Sequence, residues 1–474
     1  MAAYLSKNFG SAGNKKTMTW SWWFKLGAIP TGGHNAMPVW GGQQQSYPTN
    51  GIRIAGDGRL VIRSGVGAGH GDNIYVITTR KFLDCASWYH FVVIIDTTQS
   101  TTNDRVKVYV NGVQETAFDT QTIPAQNTDT QFNKGDEAMH IGRFGHASTY
   151  DGYKVDCNGH FGHYHFIDGT SYAASTFGET DSTSGEWKAK LTPSVTYGTH
   201  GFFLKFENAG ALGTDSSGNT NTWTVNGDCK QSASTPNNTF ATFNPYHSGV
   251  GQQNKISMAA TQIDHANDTY TAKITAATLG MNKGKWYWET KYSTTGGYLY
   301  VGFVRNGGLD SSKNIRENKG LGDGDDANSW AFAAGNSSGQ IIKKIRHNNA
   351  DAVADMGVTP AVNDIIQCWL DLDNGKAWWG INGTVMNSGS GTGVPNSGTY
   401  PHVTFTVGTE FYLPAVSLYG FNGAPQCQVN FGEGRFGATA VASSNTDAAG
   451  VGSFEYSPLA GFYAICTKNL KNYG

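Results

Sequence analysis

From residue 17 to residue 25 the chain alternates, with Met18, Trp20, Trp22 and Phe24 on one side and Thr17, Thr19, Ser21 and Lys25 on the other. Period two predicts a strand with one buried face. Trp23 interrupts the pattern by placing an indole on the polar side, where a packing contact is expected because so large a ring needs a partner. Residues 51–63 read as a hairpin turning at Gly56 to Gly58, and residues 88–96 form a continuous apolar run suited to a central strand. Val106, Val108 and Val110 then alternate with Lys107 and Tyr109 ahead of Asn111-Gly112, a dipeptide that favours the two-residue hairpin turn. The pattern returns at residues 285–292, with Trp286, Trp288, Thr290 and Tyr292 facing one way and Tyr287, Glu289 and Lys291 the other. Further strand-like runs begin at Tyr298, Ser329, Ile365 and Tyr412, and Asn374-Gly375 and Asn382-Gly383 supply two more turns. Amphipathic helical repeats are missing from both halves, so the expected fold class is all-β, two sandwiches in tandem.

Residues 166–247 lie between the halves. In them short apolar runs such as Phe202, Phe203, Leu204 and Phe206 are separated by Gly, Asp, Ser and Asn clusters, the punctuation of turns. The stretch reads as β-rich connecting material with the seam between residues 225 and 243. The expected division is 1–225 for the first sandwich with its extension, 226–438 for the second, and 439–474 for a C-terminal tail.

The motifs FIDG, STFGETD, GEW, YGT, GTDSSGN and NNTFATFNP occur in that order across this stretch. Together they resemble a family of phage structural proteins. Before them, TWSWWFK, WYHFVVIID, KVYVNG, MHIGRF and DGY resemble laminin-G and concanavalin A-like lectin domains. That resemblance implies a two-sheet jelly roll with glycan- or protein-binding loops at one end, and in some members calcium. No compact acidic set marks such a calcium site in this half. After the seam, KWYWE, VGF, NSWAF, LDLDNG, INGT, LPAVSL and VNFG over residues 285–432 resemble SPRY, which implies a sandwich that presents loops to a partner and is not an enzyme. The closing GFYAICTKNL is similar to endings of phage proteins that carry these domains. A terminal strand, a frayed tail and a docking segment all remain open for it.

Composition sharpens this picture. The 474 residues suffice for two to three domains with their own cores. Charged residues make up 15%, against roughly 25% in an average soluble protein, so neutral polar groups must solvate the surface. A net charge of −2 with no basic run argues against nucleic acid and anionic membrane as partners. Neither an export signal nor an apolar run of the ~20 residues that a membrane span needs is expected. Cys85, Cys157, Cys229, Cys368, Cys427 and Cys466 are far apart and form no C-x-x-C pair, so buried free thiols are expected.

Candidate chemistry is sparse. Concanavalin-like sandwiches also host glycoside hydrolases, which need two suitably spaced carboxylates. Glu179 and Asp181 begin the E-x-D-x-x-E pattern of such enzymes, but the third acid falls at Ser184 and Glu186 comes two residues late, so hydrolysis is the disfavoured alternative. Asp323, Asp325 and Asp326 are a candidate calcium set, with a solvated acidic loop as the favoured reading. His160, His163 and His165 pose the same choice between metal binding and structure, and structure is favoured. No G-x-S-x-G, Walker loop or H-E-x-x-H occurs, and no cofactor is expected. Arg305, Asn306, Asp310, Lys313, Arg316 and Lys319 are the candidate contact residues, on a polar loop between two SPRY-like strands.

The expectation is therefore a non-enzymatic phage virion protein, a tail fibre, head appendage or decoration protein, that recognises host-surface glycan or protein. It would be made in the host cytoplasm, contact other virion proteins, and assemble as a homo-oligomer such as a trimer. A purely architectural capsid or tail component is the alternative.

Overall fold

The computed structural model describes residues 3–28, 37–42, 50–65, 71–135, 138–144, 155–182, 185–247, 255–265, 272–294, 297–306, 320–323, 327–337, 340–420 and 425–474. The chain is nearly all-β and divides into two compact units, Met1–Gln231 and Ser232–Gly474.

In the first unit, the described residues form two main antiparallel sheets. One runs in the order Phe118–Thr122, Asp72–Lys81, Arg59–Gly65, Gly51–Ile54, Met37–Gly42, Met139–Ile141, Tyr4–Lys7, Thr224–Asn226. The other runs Phe202–Leu204, Gly159–Asp168, Thr17–Leu26, Tyr89–Asp96, Val106–Val110, Val113–Gln114. Met18, Trp20, Trp22 and Phe24 do face one way, into a core shared with Ile52, Ile62, Ile74 and Val76 of the opposite sheet. Trp23, on the reverse face, is buried too, against Trp88, Trp187 and Ala189. The connecting stretch explains this. Residues 172–182 and 185–197 fold back over the outer face of the second sheet, where Tyr172, Ala174, Phe177, Val195 and Tyr197 pack on Val92, Ile94 and Ile167. What reads as a linker is a cover that belongs to the first unit.

The second unit repeats the scheme. One sheet orders Lys255–Ser257, Gln262–Asp264, Gln426–Asn430, Lys285–Thr294, Ile365–Asp371, Lys376–Ile381 and Thr384–Val385. Its partner orders Ala272–Ala276, Tyr412–Gly420, Gly297–Arg305, Ser329–Ser337, Gln340–His347 and Ala350–Val353. Both units use the same hairpin device. Asn111 and Asn382 take left-handed φ of 48° and 50°, as the turn requires. Each also accepts, through its side-chain oxygen, an N–H from the neighbouring strand that precedes the hairpin, His90 at 2.7 Å and Ile365 at 2.9 Å.

The strand Lys285–Thr294 alternates as expected but is buried on both faces. Tyr287, on the outer side, packs with Trp369, Trp378, Phe454 and Phe462, because residues 445–466 lie across the sheet. Tyr463–Ala464 pairs in parallel with Trp286 and Tyr287, and Ala241 donates its N–H to the Ile465 carbonyl at 2.9 Å. Two buried carboxylates hold this segment. Asp447 accepts the N–H groups of Ala449, Val451 and Ala464, each at 2.8 Å, and the Asn469 amide at 2.7 Å. Glu289 accepts the Tyr287 hydroxyl at 2.9 Å, the Asn430 amide at 3.1 Å, and the N–H groups of Glu455 and Tyr456 at 3.0 and 2.8 Å.

Glu289 has no cation among those partners. Burial, opposed by the bonds from Tyr456, Glu455, Tyr287 and Asn430, pushes its pKa from 4.5 up to about 7. The folded chain then binds this proton more tightly than the unfolded chain does. Its contribution to stability is full below pH 4.5 and is lost as pH rises through about 7, a span of ~3 kcal/mol. His402 works in the opposite direction: burial lowers it to about 4, so stability falls as pH drops below its ordinary 6.5. The two slopes overlap, and the comparison that separates them is wild type against Glu289→Gln. Urea titrations at pH 5 and pH 8 should show the wild type losing more stability on alkalinisation than the variant; equal losses would refute the assignment.

Candidate functional site

Several polar groups of the first unit, the candidate His165 among them, are enclosed between the second sheet and its neighbouring segments. Trp187 donates its indole N–H to His90 Nδ1 at 2.8 Å, and Ser21 Oγ lies 2.8 Å from His90 Nε2. An indole can only donate, so His90 carries its proton on Nε2 and donates to Ser21. That tautomer cannot take a proton from the hydroxyl, and both residues are fully buried. Burial, reinforced by His163, pushes His90 down to about 3, so it stays neutral. His165 is equally enclosed: it shares a hydrogen bond of 2.9 Å with the Tyr197 hydroxyl and stacks on Phe203 at 3.9 Å. His163 sits at a bulge with φ of 43°, its ring 5.7 Å from Phe203, and His160 lies 6.0 Å from Trp88. Among the described residues, no three His, Cys, Asp or Glu side chains come together as a metal site.

The recurring motifs prove to be joints. Asp168 of FIDG accepts the Asn14 N–H at 2.7 Å, the Asn133 amide at 2.8 Å and the His200 N–H at 3.1 Å. Gly198 of YGT passes so close that an added Cβ would stand 2.0 Å from the Asp168 carbonyl oxygen, at a φ of 72°. Asp215 of GTDSSGN gathers the N–H groups of Phe203, Ser217 and Asn221 at 2.8 to 2.9 Å.

The carboxylates of the hydrolase alternative sit on a small hairpin made by Gly178–Thr180 and Trp187–Ala189. Asp181 donates its N–H to the Glu186 carbonyl at 2.8 Å, so these two face each other across the turn and not along one strand. Lys188 Nζ lies 2.9 Å from Asp181 and Lys190 Nζ 3.9 Å from Glu179. Ser184 lies outside the described residues.

At one end of the second unit, the strands Gly297–Arg305 and Ser329–Ser337 frame the expected contact loop. Arg305 donates from Nε to the Asn328 Oδ1 at 2.8 Å, and Asn306 donates its N–H to the Phe411 carbonyl at 2.8 Å. Phe411 itself is 51% exposed. Beneath this rim Trp330 stacks on His347 at 4.6 Å and meets Phe405 at 4.9 Å, giving the rim a rigid aromatic base. Asp323 is held by Arg346, which also pairs with Asp351, and it hydrogen-bonds the Tyr300 hydroxyl. Its carboxylate is therefore already engaged by protein partners. Asp310, Lys313, Arg316, Lys319, Asp325 and Asp326 lie outside the described residues. Phe411 is a rim residue that the sequence alone does not mark, since it falls in no periodic run, whereas Asn328 opens the NSWAF motif.

The family described as the concanavalin A-like lectin/glucanases superfamily matches residues 3–156, and the SPRY domain family matches residues 285–434. Among solved structures, the chain is similar to the SPRY domain of human HERC1 at 14% identity, covering 40% of this chain and 96% of that one, with a TM-score of 0.26. It is also similar to the TRIM65 PSpry domain at 14% identity, covering 40% and 88%, with a TM-score of 0.28. A search of curated proteins returns no match.

Proposed function

We propose, for a chain in which a concanavalin A-like domain is followed by a SPRY domain, a non-enzymatic role as a bacteriophage virion protein, a tail fibre or head appendage that recognises the host surface. The observation that carries recognition is the rim of the second unit. Arg305, Asn306, Asn328 and Phe411 are fixed there by strand ends and a stacked aromatic base, and the polar run of residues 307–319 follows Asn306 directly in the sequence. A rigid scaffold that fixes the two ends of a polar loop loses little entropy when that loop meets a partner.

The virion assignment is supported by the ordered motifs between residues 166 and 245, whose Asp168, Gly198 and Asp215 are structural joints of the first unit. The virion reading rests on the resemblance of these ordered motifs to those of phage structural proteins. Lysines beside Glu179 and Asp181 support the non-enzymatic reading, since ion-paired surface acids on a turn lack the opposed geometry of a glycosidase pair. Low charge supports a glycan or protein partner over nucleic acid. Several copies per particle, as in a trimer, would turn weak single contacts into firm attachment.

The test replaces residues 307–319 by a short Gly/Ser linker in the full-length protein on the particle. Particles should assemble normally and adsorb to host cells at least about tenfold more slowly, while purified protein releases no sugar from host polysaccharide. Unchanged adsorption would favour the architectural alternative. Sugar release that is lost in Glu179→Gln would restore the hydrolase.

A further inference from the structure

The geometry points to a neutral-sugar subsite on the second unit at Tyr400, in a segment of the sequence other than residues 307–319. Between Lys376 and Glu410 the sequence contains no Asp, Glu, Lys or Arg. That run forms the connection from Thr384–Val385 to Val403–Thr404, and it is tied down from below. Trp378 donates its indole N–H to the Thr399 carbonyl at 3.0 Å, and Lys376 Nζ donates to the Gly398 carbonyl at 2.9 Å. His402, buried, accepts the Trp379 N–H on Nδ1 at 3.0 Å and so donates from Nε2 to the Met386 carbonyl at 3.1 Å.

On this fixed base Tyr400 is 48% exposed and has a φ of 46°, the left-handed region that a bulky residue seldom adopts. Its ring lies on Gly391, where an added Cβ would come within 3.0 Å of the ring carbons. Ser390 and Thr392, both exposed, flank that glycine. The result is an exposed aromatic ring lying on the Gly391 backbone, in a strained conformation, with exposed hydroxyl-bearing residues on either side of that glycine.

Strain of this kind persists where the neighbouring structure imposes it, and it accumulates at ligand sites. The chemistry that fits is a hexopyranose: its C–H face stacks on a ring, its hydroxyls exchange hydrogen bonds with neutral donors and acceptors, and no ion pair is needed. The connection itself carries no charged side chain, and the cation beneath it, Lys376, is held by the Gly398 carbonyl. This inference rests on the recognition reading above and names the sugar class and the residue that reads it.

The experiment applies the purified full-length chain to an array of immobilised neutral and anionic saccharides. Wild type should bind neutral hexopyranosyl structures. Tyr400→Ala should weaken that binding about tenfold or more, the factor that corresponds to ~1.4 kcal/mol, while Tyr400→Trp retains it. Tyr400→Gly is the folding control: glycine relaxes the left-handed φ, so the melting temperature should hold while binding is lost. Absence of neutral-sugar binding, binding confined to anionic saccharides, or binding that survives Tyr400→Gly would each overturn the subsite. Adsorption of particles carrying Tyr400→Gly keeps the two readings apart: adsorption that depends on residues 307–319 and not on Tyr400 sinks the subsite and leaves host recognition standing.

Discussion

A chain that stops at residue 460 should keep its first unit folded and lose its second. Phe462, Ala464, Ile465 and Cys466 are fully buried inside the second unit, and Ile465 belongs to its main core. Removing Phe462 and Ile465 alone forfeits roughly 3–6 kcal/mol of apolar burial at ~1.5–3 kcal/mol per large side chain. A whole domain is stable by only about 5–15 kcal/mol. The deletion also frees Asp447, whose carboxylate loses the Ala464 and Asn469 donors. Limited proteolysis of the truncated protein should leave a resistant fragment near residues 1–231 and digest the remainder; two resistant fragments would contradict this. As a docking segment the C-terminus could offer a partner only its outer residues, such as Thr467 and Lys468, which are exposed.

The second large effect is expected from Asp168→Ala. Its carboxylate serves the Asn14 N–H, the Asn133 amide and the His200 N–H, and the residue is only 8% exposed. Alanine would leave two buried donors, on Asn133 and His200, and the more exposed Asn14 N–H without their acceptor, at a cost of about 3–5 kcal/mol. Asp168→Asn keeps one acceptor oxygen but turns an NH₂ towards donors, so it should fall between. Urea unfolding of residues 1–231, followed by tryptophan fluorescence, would order the three proteins; an Asp168→Ala midpoint equal to wild type would refute the role.

These residues also indicate what a sequence makes legible. Alternation along residues 17–25 and 285–292 places Trp20, Trp22, Trp286 and Trp288 in their cores, and Asn-Gly pairs mark hairpins, because both signals are local. Burial of the outer faces is not local. Trp23, Ser21 and His90 are covered by residues more than ninety positions away, and Glu289 by residues 455 and 456, so a polar position there reads as solvent-facing. The candidate site was legible in part for the same reason. Arg305 and Asn306 follow from the end of a strand, whereas Phe411 and Tyr400 owe their placement to packing and to a backbone conformation that no periodicity announces.

Each unit is completed by pairing its first segment with its last. Tyr4, Leu5 and Ser6 lie against Asn226, Val225 and Thr224, and Phe240 bridges to Cys466. On a ribosome this sets a timetable. The strand that carries Glu289 emerges long before its cover, and at about 5–20 residues per second the 166 residues from Glu289 to Glu455 take roughly 8 to 33 seconds to be made. Through that interval Tyr287, joined by Trp369 and Trp378 once these are made, has no cover against water, and the nascent chain needs protection from its neighbours on the same message until residues 445–466 emerge.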